Sequence, residues 1–205
     1  MYVPPKFSLG DEDAWSVVRD AGAGALVIAT PTGLASVFVP VVVSDDRGTI
    51  TSHLARANSW WRSVTPDMEI LALFLAASTY VSPTNYPSRA EHPGVVPTWN
   101  YVAAEVRGRV RLHDGAEWKL RQVSSVTDQF ERDRTPAWHV HDAPPEFISR
   151  QLQAIVGIEI EVLSVQGKAK LSQNRPDLDR DCVAEQLAHG TLGERLVAER
   201  MRRSD

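Results

Sequence analysis

The sequence predicts an α+β fold: an antiparallel, barrel-like sheet with peripheral helices. Three observations predict it. Segments rich in β-branched residues in the first part of the chain are joined by turns too short to hold a helical crossover, so they must form an antiparallel meander. Two later segments alternate apolar and polar residues as half-buried strands do. The remaining helical patterns enter late, around and after the later strands. At 205 residues, 43% hydrophobic and 23% charged, the chain has the balance of a folded globular protein, which excludes wholesale disorder, collagen and coiled coil.

Asp11 to Ala21 reads as a helix that Ser8 or Asp11 can cap, with acids in its first turn, an apolar side at Trp15, Val17 and Val18, and Gly22 and Gly24 to stop it. Ala25 to Thr30 and Leu34 to Val43 read as strands around the turn Pro31-Thr32-Gly33. Ser44 to Gly48 turns the chain again, and Thr49 to Leu54 and then Glu69 to Val81 return as strands. Ser82 to Pro97, with four prolines, reads as a long loop of the kind that tends to be functional. Thr98 to Leu112 alternates in its second half and reads as a strand. Asp114 to Arg132 reads as a helix in which Asp114 and Glu117 have capping-box spacing. Glu146 to Gln153 is a short proline-started helix, and Ile155 to Val165 a strand with Ile158, Ile160 and Val162 on one side against Glu159 and Glu161. Asp177 to His189 and Leu192 to Arg203 are terminal helices separated by Gly190.

Composition removes several function classes. The single cysteine, Cys182, allows no intrachain disulfide and no multi-cysteine zinc site, so a reducing cytoplasm fits. No apolar signal core follows Met1, and the apolar run from Ile70 to Ala77 is far short of a membrane span. A net charge of −4 puts general nucleic-acid coating at a disadvantage. Gly22-x-Gly24 precedes a strand and cannot cradle a pyrophosphate at a helix N-terminus, and neither a P-loop nor a GxSxG element occurs. His139-Val140-His141 sits among prolines and acids and reads as a surface loop, with no metal expected.

Three stretches combine polar, aromatic and basic residues where a strand ends. Thr51 to Arg62 offers Ser52, His53, Arg56 and Asn58 within a few residues, a donor set that suits a phosphate monoester; the alternative is an ordinary connection with Asn58 or Ser59 as a cap. Trp99, Asn100 and Tyr101 close the long loop and suit either a flat aromatic ligand or an edge-strand contact. Lys168 to Pro176 reads as an anion-friendly loop or a solvated connector.

The segments MYVPPKF, SHLARANSWW, TYVSPTNY, VPTWNY, IVGIEIEV and KLSQNRP, in this order and spacing, resemble the PaiB family, also called the FMN-binding negative transcriptional regulators. The resemblance implies a split β-barrel of the flavin-reductase and pyridoxamine-phosphate-oxidase type over residues 1–176, with 177–205 as a helical extension packed on it. It also implies a homodimer binding FMN at the subunit interface. Carried onto this chain, it places Ser52, His53, Arg56 and Asn58 at the phosphate, and the backbone around Val39 and Pro40 at the polar edge of the ring. Trp99 and Asn100, with Lys170, Ser172, Gln173 and Arg175, would approach the flavin, in one arrangement from the partner subunit. Family members commonly carry Thr-His-Leu-Pro where this chain has Val37-Phe38-Val39-Pro40, so Phe38 replaces an imidazole beside the expected cofactor. Direct DNA binding would fall to Arg195, Arg200, Arg202 and Arg203 of the last helix, where an amphipathic packing helix is the competing expectation. An NAD(P)H-consuming flavin oxidoreductase without DNA binding is the alternative activity.

Overall fold

Eight strands and five helices form in the computed structural model, which describes residues 1–203. They are β1 (Ser8–Leu9), α1 (Asp11–Ala21), β2 (Ala23–Thr30), β3 (Gly33–Pro40), β4 (Val42–Val43), β5 (Thr49–Ala55), β6 (Glu69–Val81), β7 (Thr98–His113), α2 (Ala116–Glu131), α3 (Pro145–Gln153), β8 (Ile155–Lys170), α4 (Asp177–Ala188) and α5 (Leu192–Arg203). The last two residues of the expected helical extension, Ser204 and Asp205, lie outside the described residues. One sheet runs in the order β3-β2-β6-β7-β8-β5-β4, with β1 added on β8. The chain divides into two units, one built from Met1–Ala21, Phe74–Glu105 and the residues from Val165 onward, the other from Gly22–Leu73 and Val106–Ser164.

The second unit is made by strict two-residue alternation. Leu26 and Ile28, Ile50 and Leu54, and Ile158 and Ile160 are almost fully buried, while their neighbours along each strand, apart from Gly157, are not. β2 and β3 form a hairpin that closes from Thr30 to Gly33, where a φ of +123° is open to glycine and strained for other residues. α2 lies close because Gly157 leaves room for Trp118; a Cβ at 157 would overlap its ring. The other side of the β3-β2-β6 sheet stays uncovered. Phe38 pairs across Ala25 to Leu73, and Phe38 and Leu34 are 72% and 79% exposed.

In the first unit α1 buries Ala14, Trp15, Val17 and Val18, and Ala14 rests on Gly167, where a Cβ would lie 2.8 Å from the Ala14 methyl. α4 and α5 pack through Val183, Leu187, Val197 and Met201. The long connection after β6 is ordered by two single 3₁₀ turns and by Asp179 of α4. The fully buried Asp179 carboxylate accepts from the Ser88 amide at 3.0 Å and the Ser88 hydroxyl at 2.6 Å.

Four expectations need correction. Ser8 is a strand residue paired with Lys168, not a helix cap. The expected strand from Leu34 to Val43 is interrupted at Val41, whose amide turns to the carbonyl of Gly22. Asp114 does not cap α2: the N-cap is Gly115, without a side-chain bond, because Asp114 is drawn to Arg56 and Lys119. The strand expected to end at Val165 runs on to Lys170, so Lys168 and Lys170 are strand residues and not part of a loop.

Candidate functional site

The stretch from Ser52 to Asn58 has its polar atoms engaged by its own chain. On β5, Ser52 and His53 point to opposite faces, as successive strand residues must. The fully buried Ser52 hydroxyl donates to the Pro40 carbonyl at 2.6 Å, and Val39 is buried beside it. His53 pairs Nδ1 with Gln122 Oε1 at 2.7 Å. Arg56 donates to the carbonyls of Gln153 at 2.8 Å and Ile155 at 3.0 Å and forms an ion pair with Asp114. Hydrogen bonds from Arg56 and then Lys119 hold the Asp114 carboxyl below its ordinary range. Asn58 caps the short turn Ser59–Ser63 by accepting from the Trp60 amide. The structure does not bring these four side chains onto one face.

The end of β8 and the turn after it are arranged differently. Gln173 closes on its own backbone, donating to the Ala169 carbonyl and accepting from the Leu171 amide, both at 2.7 Å. Ser172 adopts a left-handed conformation, φ +67°, and its hydroxyl meets the fully buried Asn100 amide at 3.0 Å. Asn100 also reaches the Met201 sulfur at 3.7 Å, which ties β7, the turn and α5 together. These three polar residues hold the frame. The frame presents cations: Lys170 donates to the Thr98 hydroxyl and the Trp99 carbonyl, and Arg175 lies 4.6 Å over the Tyr86 ring.

No carboxylate among the described residues neutralises Lys168, Lys170 or Arg175. Burial, then repulsion from Lys168 and Arg175, lowers the pKa of Lys170 from 10.5. Lys168 is buried, donates to the Tyr2 carbonyl at 3.0 Å and stands 5.3 Å from the Tyr101 ring. Trp99, 52% exposed, meets Tyr80 edge to face at 6.4 Å between centroids. Concentrated, unneutralised positive charge beside an exposed indole fits a ligand with a phosphate and a flat ring. Lys168 and Tyr101, which the sequence placed in the anion-friendly and aromatic stretches without carrying them to the cofactor, also belong to this group. The in-phase spacing of Lys168 and Lys170 on β8 puts both lysines on one side of the strand.

The fold defines the class: a split β-barrel. Over 91% of this chain and 82% of that chain, the fold is similar to the FAD and heme binding protein from Mycobacterium smegmatis, with a TM-score of 0.60 and 12% identity. It is also similar to the flavocytochrome Anf3 from Azotobacter vinelandii, with a TM-score of 0.59 and 9% identity over 83% of this chain and 72% of that chain. At such identities these likenesses speak to the fold. Residues 1–164 match the family described as "Putative FMN-binding domain", and the chain belongs to it. It is also 30% identical over 190 residues to the "Protease synthase and sporulation protein PAI 2" of Bacillus subtilis (strain 168), which spans 91% of this chain and 89% of that protein. The cofactor of the family is FMN. The cations at Lys168 to Arg175 lie just beyond the matched segment.

Two other sequence features remain outside this group. His139 caps a 3₁₀ turn that contains His141, with their rings 6.2 Å apart, and His139 pairs with Asp128; no cluster of metal-binding side chains occurs among the described residues. No helix among them is long and apolar enough to cross a membrane.

Proposed function

We propose that this protein binds FMN through its phosphate at Lys168, Lys170 and Arg175, with Trp99 against the ring, and that it does so as a homodimer. The observation that carries the reading is the trio of cations without a carboxylate partner among the described residues, one of them partly desolvated. Like charges are held together at a cost unless an anion joins them, and a phosphate monoester supplies about two charges and several acceptors. In this reading Asn100, Ser172 and Gln173 shape the turn, while Ser52, Arg56, Asn58 and the Val39–Pro40 pair hold the end of β5. Bound FMN would supply hydride or electron transfer, and the chain supplies binding and orientation.

Flavin titration tests the reading. FMN should quench on binding and saturate, and riboflavin, which lacks the phosphate, should bind roughly 10- to 100-fold more weakly, the value of a charge-assisted contact. Equal affinities for the two would overturn it.

The dimer is supported by the uncovered apolar side of the β3-β2-β6 sheet, where Leu34, Phe38 and Leu73 are exposed together. Phe38, in place of the family's histidine, suits such a contact better than it suits a polar cofactor edge. Light scattering should give twice the chain mass for the protein and a single-chain mass for Phe38→Asp. A role in transcription is implied by the PaiB resemblance. Of the four arginines of α5 assigned to that role, Arg200 is paired with Asp20, Arg203 with Glu199 and Arg195 with the Gly190 carbonyl, while Arg202 is exposed. Salt-dependent binding to promoter DNA would test it directly.

A further inference from the structure

We propose that the second unit contains a separate small-molecule site, a cavity beside β5, α2 and α3 that takes an uncharged, single-ring molecule carrying one hydroxyl, of the phenol class. The cavity has a volume of about 270 Å³ and is lined by Val126, Trp138, Phe147, Leu152 and the imidazole-bearing His53. An apolar cavity of roughly 150 Å³ holds a benzene ring, so this one has room for a ring with substituents.

Charge and hydrogen bonding narrow the occupant. No Asp, Glu, Lys or Arg lines the cavity; Thr127 and Gln151 are its other polar liners. A charged molecule would leave water without compensation there. Trp138 and Phe147 are 47% and 44% exposed, which puts two aromatic side chains within reach of an entering ring. His53 lines the cavity, and its Nδ1 is engaged by Gln122 at 2.7 Å. When Gln122 Oε1 accepts from Nδ1 of the neutral ring, Nε2 remains as an acceptor. A ligand hydroxyl can donate to it.

The His53–Gln122 pair is not ordinary packing. Gln122 is 4% exposed, and its amide nitrogen has no partner within the described residues. Leaving a buried amide group unpaired costs about 1–3 kcal/mol. An apolar pair would fill the same space without that cost. A buried amide that engages an imidazole lining an uncharged cavity is an arrangement a recognition site can use. The site shares no residue with the cations at Lys168 to Arg175.

Calorimetric titration of the full chain with 4-methylphenol, and with toluene as the hydroxyl-free counterpart, tests this without any variant. The expected result is saturable one-to-one binding of 4-methylphenol, roughly tenfold tighter than toluene, as one neutral hydrogen bond provides. Ala143→Leu, which fills the cavity, should remove both bindings and leave FMN titration unchanged. Failure of 4-methylphenol to saturate would overturn the proposal. So would equal affinity for toluene, or displacement of 4-methylphenol by FMN, which would assign it to the cofactor site. FMN binding is read separately, so either proposal can fail alone.

Discussion

Two segments of this chain have nearly the same chemical inventory and opposite behaviour. Ser52 to Asn58 and Lys168 to Arg175 both collect hydroxyl, amide and cationic side chains at the end of a strand. In the first, the hydroxyl goes to Pro40, the guanidinium to two carbonyls and Asp114, and the amide to a cap. In the second, the amide and hydroxyl groups also turn inward, but among the described residues no carboxylate pairs with the cations. Composition is therefore a poor guide to an anion site, and a full account of partners is a good one. What distinguishes a grip from a brace is which charges remain after the chain has satisfied itself.

The strongest way to break this contrast is to remove the charges on each side. Lys170→Ala combined with Arg175→Ala should weaken FMN binding by about two orders of magnitude, whereas Arg56→Ala should change it by less than about threefold and lower the melting temperature instead. Fluorescence titration and thermal unfolding read the two effects. Equal losses of affinity would abolish the distinction.

Next in size is the frame beneath the cations. Asn100→Ala removes a buried partner of Ser172 and should cost about 1–3 kcal/mol in denaturant unfolding, against about 1 kcal/mol for the capping residue in Asn58→Ala.

The acid-base behaviour sharpens the comparison. Burial, with Lys168 and Arg175 beside it, puts the Lys170 pKa below 10.5. Between that lowered value and 10.5 the unfolded chain binds more protons than the folded one, so stability rises with pH across the window. FMN affinity should run the other way, falling as pH passes upward through the lowered value, and the fall should vanish in Lys170→Ala. At Asp114 the direction of the stability change is the same, in a different window and for a different reason: the charged form is stabilised, not penalised. Arg56 and Lys119 lower its pKa from 3.8, so its contribution is fully present above 3.8 and is lost as pH falls through the folded value. Asp114 is largely exposed, so Asp114→Asn should remove no more than about 1 kcal/mol, measured near neutral pH.

Legibility in the sequence followed the range of the interactions. The strand from Glu69 to Val81 and the helix from Asp11 to Ala21 are read correctly because local alternation and local helix periodicity decide them. The capping role expected of Asp114 fails because its partner Arg56 lies 58 residues away in sequence. The end of β8 is missed because Gly167 breaks the apolar alternation; its lack of a side chain answers to Ala14 of a distant helix. At the candidate site, the cationic stretch is visible as a cluster. That Lys168 and Lys170 project in step from a strand, and that no acid among the described residues answers them, is visible only once distant segments are placed.

The left-handed bend at Ser172, joined to Asn100, carries an evolutionary consequence. Glycine at 172 would keep the bend and lose the tether, and an apolar residue at 100 would leave the hydroxyl stranded in the interior. Neither position is free to drift by itself. Across descendants of this gene the two should change hands as a couple, with the residue facing Met201 setting the pace.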